Sequence, residues 1–363
     1  MLRLVFDLYA SMFNKTAQPA LDWIQLEITT KCNAQCIYCP HLYFSETKDM
    51  QMETFYGIAS CLSNTNLVYL QGWGEPLLND DIFCMIEFCK MNGKLVGFTT
   101  NGQLLEEKII VKLIDLKLDI LCVSLAGTTS PTHNRLRIGN DFDQIISNLI
   151  LLRELKKQKK VTKPDLHIAY LMLGSNFEEM RNIISLAQKL SAKQVIASNL
   201  TLIIEKELFS EALFNNKQSY DYYSSVLEQI KEEAIKREIT FFYHNPIPST
   251  FLSGLNCSEN ICNALVVDVD GNVSPCVFTM PSLNENLTIN DNKIPSHYFQ
   301  NQVFPLKKKS FGNIASENLS EIWNKKSYSA FRKYFNKSIE VVNDPNIFEH
   351  PDCCAKCYKS LAL

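Results

Sequence analysis

An α/β fold is predicted from three observations. Between residues 22 and 205, six short apolar runs alternate with stretches of helical periodicity. Each run is five to eight residues long, which suits a strand and is too short for a helix. From residue 257 onward the alternation stops, and cysteines and turn residues take over. Apolar strands separated by amphipathic helices make βαβ units and a parallel sheet. The expected architecture is a partial (β/α)6 TIM-like barrel followed by a small cysteine-rich α+β domain.

The strands fall at "WIQLEIT" (23–29), "LVYLQ" (67–71), "LVGFTT" (95–100), "DILCVSL" (119–125), "LHIAYLML" (166–173) and "QVIAS" (194–198). Between them "DIFCMIEFCKMNG", "EEKIIVKLIDL", "FDQIISNLILLRELKKQ" and "FEEMRNIISLAQKL" read as helices with one apolar face. Residues 206–254 add a long helix, "SYDYYSSVLEQIKEEAIKRE", and a strand, "ITFFYH", read as a connection. "LVVDVDGNVSPC" (265–276) reads as a hairpin turning at Asp270-Gly271. The division is thus an N-terminal helical extension (1–21), a barrel core (22–205), a connection (206–254) and a C-terminal domain (255–363), with the boundary near 250–256. No repeat of fixed period and no low-complexity tract interrupts it.

Of the 363 residues, 46% are hydrophobic and 21% charged, which supplies a sizeable core. A net charge of -3 gives no electrostatic footprint for nucleic acid and no attraction to anionic lipid. No window approaches the 18 or more apolar residues of a membrane-crossing helix. The N-terminus lacks a signal peptide's sustained apolar run and cleavage site. A cytoplasmic location is expected, where the 13 cysteines stay reduced.

Three of those thiols, Cys32, Cys36 and Cys39, lie within eight residues after the first strand, in "CNAQCIYC". Loops at the C-terminal ends of barrel strands carry active sites, so the trio is placed for chemistry. Soft thiolates select zinc or iron–sulfur clusters. Closed zinc wants a fourth ligand, and His41 is the local candidate. A [4Fe-4S] cluster on three cysteines instead leaves one iron open.

Cys-x3-Cys-x2-Cys with Tyr38 before the last cysteine resembles the signature of the radical S-adenosylmethionine (SAM) superfamily, as do Glu27-x-Thr29 and Asn33 around it. The resemblance implies that the open iron chelates the amino and carboxylate groups of SAM. An electron then cleaves the sulfonium, and the resulting 5′-deoxyadenosyl radical abstracts hydrogen from substrate. It also implies site residues. "QGWGEP" (71–76) is similar to a Gly-Gly-Glu-Pro motif whose backbone meets the SAM amine, with Trp73 separating Gly72 from the matching Gly74-Glu75-Pro76. "TTNG" (99–102), with Thr100 and Asn101, resembles the ribose and methionine contact region. Ser124 matches a position near the SAM carboxylate or ribose, Arg137 one facing the same carboxylate, Asn176 a further polar contact, and "ASNL" (197–200) would close over the adenine.

Beyond the boundary stand Cys257, Cys262, Cys276, Cys353, Cys354 and Cys357. Cys262 and Cys276 flank the hairpin, and Cys354-x2-Cys357 is a common metal clasp. Together they are four thiolates, enough for one closed zinc or one fully ligated [4Fe-4S] cluster. "DVDGNVSPC", the run from Phe311 to Arg332 and the closing Cys-x2-Cys resemble the SPASM domain of peptide- and protein-modifying radical SAM enzymes. Its mid-domain Cys-x2-Cys-x5-Cys-x3-Cys arrangement is missing, which implies one auxiliary [4Fe-4S] cluster, with Cys257 and Cys353 open as substitute ligands. Cys61, Cys84, Cys89 and Cys122 read as small buried hydrophobes.

The resemblance implies a peptide or protein substrate under maturation and an external reductant such as a flavodoxin or ferredoxin. Just over twenty residues precede the first strand, leaving no room for a separate leader-recognition domain. Two other enzyme readings stand beside it: maturation of a tungsten- or molybdenum-pterin oxidoreductase, and radical chemistry on a small molecule. A non-catalytic electron carrier or redox sensor is the reading from another class. It has no use for SAM-facing motifs after the second, third and fourth strands.

Overall fold

The computed structural model describes residues 21–44, 46–247, 257–280, 296–335, 351–361 and 363. The expected N-terminal helix and the boundary near 250–256 lie outside the described residues. Fourteen strands are present among them: β1 (Leu21–Leu26), β2 (Gln35–Cys36), β3 (Thr65–Leu70), β4 (Leu95–Thr100), β5 (Ile120–Leu125), β6 (Arg137–Ile138), β7 (Asp165–Met172), β8 (Gln194–Asn199), β9 (Thr240–Tyr243), β10 (Ala264–Val267), β11 (Asn272–Ser274), β12 (Ser296–Phe299), β13 (Gln302–Pro305) and β14 (Gly312–Asn313). Nine helices accompany them: α1 (Met52–Tyr56), α2 (Ile82–Met91), α3 (Glu107–Asp115), α4 (Ser130–Leu136), α5 (Phe142–Lys159), α6 (Ile183–Leu190), α7 (Tyr220–Lys236), α8 (Leu319–Asn324) and α9 (Lys326–Phe335).

One sheet runs in the order β14-β11-β10-β1-β3-β4-β5-β7-β8-β9. From β10 to β9 every neighbouring pair is parallel. All six expected strands are there, and two more join them. The "ITFFYH" strand is not a mere connection: β9 pairs with β8 in the register Gln194↔Thr240. On the other edge, β10 pairs with β1 at Trp23↔Ala264 while its far side forms the expected hairpin with β11. All four β10 residues are buried, as a strand with neighbours on both edges and cover on both faces requires.

Alternation along the strands sorts the two faces. Trp23, Leu67, Tyr69, Ile120, Ile196 and Ala264 point inward and pack together as the floor of the lumen. Ile24, Leu26, Val68, Leu70 and Leu121 belong to the larger core that includes the helices. In α5, Phe142, Ile145, Ile146, Leu149 and Leu152 form the buried stripe, and the Asp141 carboxylate caps the first turn by accepting from the Asp143 and Gln144 amides at 3.0 and 3.3 Å. In α2 the stripe is Ile82, Met85, Ile86 and Cys89, which turns Cys84 outward. Cys61, Cys89 and Cys122 are buried as expected; Cys84 is exposed, because it sits off that stripe.

A second apolar cluster caps the mouth, drawing Leu200 and Ile203 from the loop after β8, Phe299 from β12 and Tyr358 from the tail. Gln300 and Asn301, both at positive φ, make the two-residue turn between β12 and β13. The Tyr358 hydroxyl accepts the Gln300 amide at 2.8 Å, and its ring contacts Phe299 and Phe214. Phe311, just before β14, stacks on Tyr328 of α9 at 4.0 Å, and the Arg332 guanidinium of α9 lies 3.6 Å over Trp323 of α8, which fastens the two helices to each other and to the approach to β14. No helix among the described residues is long and apolar enough to cross a membrane.

Since β10 continues the barrel sheet and both parts share one core, they should unfold together. Leu265→Ala, at a fully buried site in β10, is expected to cost about 2–5 kcal/mol while denaturant melts keep a single transition. Two separate transitions in the wild type would show that the seam does not couple the parts.

Candidate active site at the barrel mouth

The cysteine loop leaves β1 and folds back on it. β2 within the loop pairs with β6, which sets Cys36 opposite Arg137. The Cys39 amide donates to the Cys36 carbonyl at 3.0 Å, so the last two thiols share one tight turn. Cys32, Cys36 and Cys39 all line a single cavity of about 300 Å³. Burial, reinforced by the nearby Cys36, pushes the Cys39 thiol up to about 12. Burial also raises Cys32. His41 is spent elsewhere, its Nε2 being 2.6 Å from the Thr30 carbonyl.

The turn after β3 lies against this loop. A Cβ at Gly74 would overlap the Thr29 carbonyl and one at Gly72 would overlap the Glu27 side chain, so both positions demand glycine. Glu75 is buried, and its carboxylate is fully engaged. It accepts the Thr100 hydroxyl at 2.7 Å, the Asn101 amide at 2.7 Å and the Leu77 amide at 3.2 Å. Burial raises its pKa while these donors oppose the rise. The Asn101 side chain in turn donates to Asn33 Oδ1 at 2.6 Å, beside the first cysteine. Glu75 thus ties the turn after β3 to "TTNG".

Tyr38, Gly72, Thr100, Asn101, Ser124 and Arg137 all face the same cavity. Arg137 Nη1 donates to the Tyr38 hydroxyl at 2.9 Å, and its buried Nε has no partner. Ser198 and Asn199 face the cavity too, with the Ser198 hydroxyl and Asn199 Oδ1 buried and unpartnered. Asn176 does not line it. Its amide donates to the Ala126 and Leu171 carbonyls at 3.0 and 2.9 Å and its Oδ1 accepts from the Leu173 amide at 2.8 Å. That side chain is consumed in bracing the turn after β7, a structural use that an isolated Asn in a loop does not reveal.

The remaining wall comes from the C-terminal domain. Trp73 stacks on Phe278 at 6.0 Å and donates from Nε1 to the Val277 carbonyl at 3.3 Å. The buried Lys359 and the half-buried Glu259 form an ion pair at 2.9 Å that also faces the cavity. Sequence reading passed over both, because neither residue stands in a motif. Just outside this wall the other thiols gather. Burial first, then the charges of Cys276 and Cys357, raises the Cys257 thiol, and burial with the charge of Cys357 raises Cys276. Cys354 lies near Cys276 and Cys357, and its sulfur is 3.7 Å from that of Cys353. Cys262 donates to the Arg332 carbonyl at 3.6 Å, and its charge, like that of Cys276, reaches Tyr328. Cys257, left open by spacing alone, lies beside Cys276 and Cys357.

The radical SAM superfamily model matches residues 26–187, the stretch that carries the trio and the loops laced to it. The chain belongs to the radical SAM superfamily. The SPASM model, an iron–sulfur cluster-binding domain, matches residues 257–358, so iron–sulfur rather than zinc is the group of that domain. Among relatives, a tungsten-containing aldehyde ferredoxin oxidoreductase cofactor-modifying protein of Pyrococcus furiosus is 21% identical over 86% of this chain and 83% of its own. A probable GTP 3′,8-cyclase of Methanocaldococcus jannaschii is 27% identical over 73% of this chain and 88% of its own. SuiB of Streptococcus suis, solved with S-adenosylmethionine, superposes with a TM-score of 0.63 at 14% identity, over 93% of this chain and 73% of that one. The last likeness shows the fold.

This radical SAM enzyme uses a [4Fe-4S] cluster and SAM, and its SPASM domain binds iron–sulfur. The residues fit those groups. Three thiols share one cavity wall, two glycines leave backbone bare beside them, and a buried guanidinium nitrogen lacks a partner where a carboxylate would be held.

Two outcomes are expected. Glu75→Ala leaves the Asn101 amide and Thr100 without their acceptor, at about 1–3 kcal/mol per buried group, and SAM affinity should fall with it; titration with SAM checks this. The variant Cys32→Ala/Cys36→Ala/Cys39→Ala should retain about four irons on the SPASM thiols, read by iron and sulfide analysis. None remaining would leave those thiols without a cluster.

Proposed function

We propose that this radical SAM enzyme matures a peptide or protein, with Cys32, Cys36 and Cys39 holding the open cluster. In this reading the Gly72–Gly74 backbone takes SAM's amine, Arg137 and Ser124 its carboxylate, and Ser198 and Asn199 its base. When bound, these groups supply a 5′-deoxyadenosyl radical that removes a hydrogen atom from substrate. The second thiol set carries one auxiliary cluster, a flavodoxin or ferredoxin delivers the electron, and the setting is the cytoplasm.

The shape of the site carries the substrate reading. A second cavity of about 220 Å³ adjoins the first, and the two share Thr201, Leu202 and Phe278 as walls. The second is walled by Phe304, Pro305, Leu306 and Ala355, carries His297, Lys307, Asp352 and Lys356 among them, and lies beside Cys353 and Cys357. Two adjoining, largely apolar cavities suit an extended chain better than a compact metabolite. A nucleoside triphosphate is the metabolite that the cyclase relatives bring forward, and it needs free cations for its phosphates. On the wall of the first cavity Lys359 is neutralised by Glu259 and Arg137 is given in this reading to SAM's carboxylate, so no cation is left over there; Lys307 and Lys356 line only the second cavity. SuiB, which shares the fold, has also been solved with a precursor peptide. Maturation of a tungsten-pterin oxidoreductase is the second reading, favoured by the length over which the Pyrococcus relative aligns.

A deuterium experiment separates the substrate classes. Reconstituted enzyme, dithionite and SAM are incubated with perdeuterated cell extract divided into a polypeptide fraction and a small-metabolite fraction. Deuterium should enter 5′-deoxyadenosine from the polypeptide fraction. Label arising only from the metabolite fraction would sink the proposal.

A further inference from the structure

Two carboxamides in the cavity have no part in holding the cluster or SAM. Gln25 lies in β1 and Gln71 directly follows β3, the strand paired with β1, and both line the cavity. Gln25 Nε2 donates to the Gln71 carbonyl at 3.0 Å, which ties the first side chain to the second strand. Thr99 of β4 lines the cavity too, and its hydroxyl donates to Gln71 Oε1 at 3.0 Å. A threonine hydroxyl has one hydrogen, so in the 3.0 Å contact between Thr99 Oγ1 and the Tyr69 hydroxyl the donor is Tyr69. Tyr69 is buried, and its ring fills the space that a Cβ at Gly97 would need. The direction of the chain from Tyr69 through Thr99 to Gln71 is thus set from the packed interior.

That direction leaves complementary atoms over. Gln71 has spent Oε1, and its Nε2 keeps two hydrogens with no protein partner among the described residues. Gln25 has spent one Nε2 hydrogen, and its Oε1 has no partner among them. Adjacent strands therefore offer one donor and one acceptor, and neither carries a charge. Such a pair disfavours an ion, which would give up its hydration for two dipoles. The floor below, with Trp23, Leu67, Ile120 and Ile196, adds no competing acceptor. What fits is a neutral group that shows an N–H and a C=O to the same side. A single residue of an extended chain does so, as in the hydrogen-bonded pairs of an antiparallel ladder.

We propose that Gln25 and Gln71 grip the main chain of one residue of an extended substrate, Gln25 Oε1 accepting its N–H and Gln71 Nε2 donating to its C=O. Thr99 and Tyr69 are positioning residues that aim Gln71. The inference rests on the reading that the substrate is a polypeptide. Because these two side chains read main chain, any preference for particular substrate side chains comes from other parts of the wall.

The test uses reconstituted holoenzyme and the perdeuterated polypeptide fraction, supplied below saturation, and follows deuterium entering 5′-deoxyadenosine. SAM affinity is measured alongside by equilibrium dialysis. Gln25→Met and Gln71→Met keep side-chain length and remove the hydrogen-bonding atoms. Each should lower the label about tenfold, the factor for one buried hydrogen bond left unmade, while SAM affinity stays within about twofold of wild type. Two glutamate variants read direction. Gln25→Glu keeps an acceptor and should stay within about threefold of wild type, whereas Gln71→Glu loses the donor and should fall as far as Gln71→Met. Unchanged label in either methionine variant overturns the proposal and leaves the polypeptide reading standing. A parallel loss of SAM affinity overturns it by making the glutamines SAM contacts, and equal label from the two glutamate variants overturns it as well. Wild type that takes label only from the metabolite fraction overturns both readings together. Should Gln71→Met fail to fold, Thr99→Val removes the donor that aims Gln71, and undiminished label in that variant overturns the proposal.

Discussion

The backbone strip from Leu26 to Lys31 is the element on which the mouth depends. Its carbonyls are held one after another by groups from different loops. Leu26 O accepts from Gln71 N at 2.8 Å, Ile28 O from Met50 N at 2.9 Å and Asn79 Nδ2 at 2.6 Å, and Lys31 O from Glu75 N at 2.7 Å. Thr30 O lies 2.6 Å from His41 Nε2. Burying peptide groups is tolerable only when they are paired, and each such pairing is worth about 1 kcal/mol net. The pairing here also fixes direction. A loop whose carbonyls are committed cannot rotate its thiols away, so the trio is aimed by ordinary hydrogen bonds.

The same strip explains why the C-terminal domain belongs to the site. Because β10 pairs with β1, the hairpin and its Cys276 hang from the strand that launches the cysteine loop. Trp73 then closes the angle, one edge bonded to Val277 and one face on Phe278. An indole at that point adds apolar area and aromatic contact worth about 0.5–1.5 kcal/mol beyond its burial. A glycine there would leave the two halves of the wall apart. The residue that interrupts the expected motif is the residue that joins the domains.

Much of this was legible in the sequence, and the failures have physical causes. Strand–helix alternation and the Cys-x3-Cys-x2-Cys spacing are local signals, and both lead to the right fold and loop. The parallel partners of "ITFFYH" and "ALVV" are not local. Pairing across a sheet edge depends on residues more than forty positions away in one case and more than two hundred in the other. Asn176 was misread because an Asn that braces its own turn and an Asn that meets a ligand look alike in one dimension. Cys257 lay open for the complementary reason: a thiol five residues from its neighbour fits several ligand sets, and only the fold brings it to Cys276 and Cys357. Glu259 and Lys359 carry no spacing signal at all, since each acquires meaning only opposite the other.

Charge is distributed in the cavity under one constraint. Removing an ion from water costs several kcal/mol unless a partner or dipoles replace the water. Lys359 has Glu259, and Glu75 has the Thr100 hydroxyl with two amides. Arg137 has only the neutral Tyr38 hydroxyl, and its Nε has nothing. Of the charged side chains on the wall, it is the one left undersatisfied, and it is paired through the backbone to Cys36. A buried guanidinium with a vacant nitrogen favours an anion, and a planar fork favours a carboxylate over a sphere. The site therefore spends its one unneutralised charge beside the open corner of the thiol trio. The end facing the hairpin, where Lys359 and Glu259 cancel, is left to select by shape and apolar contact.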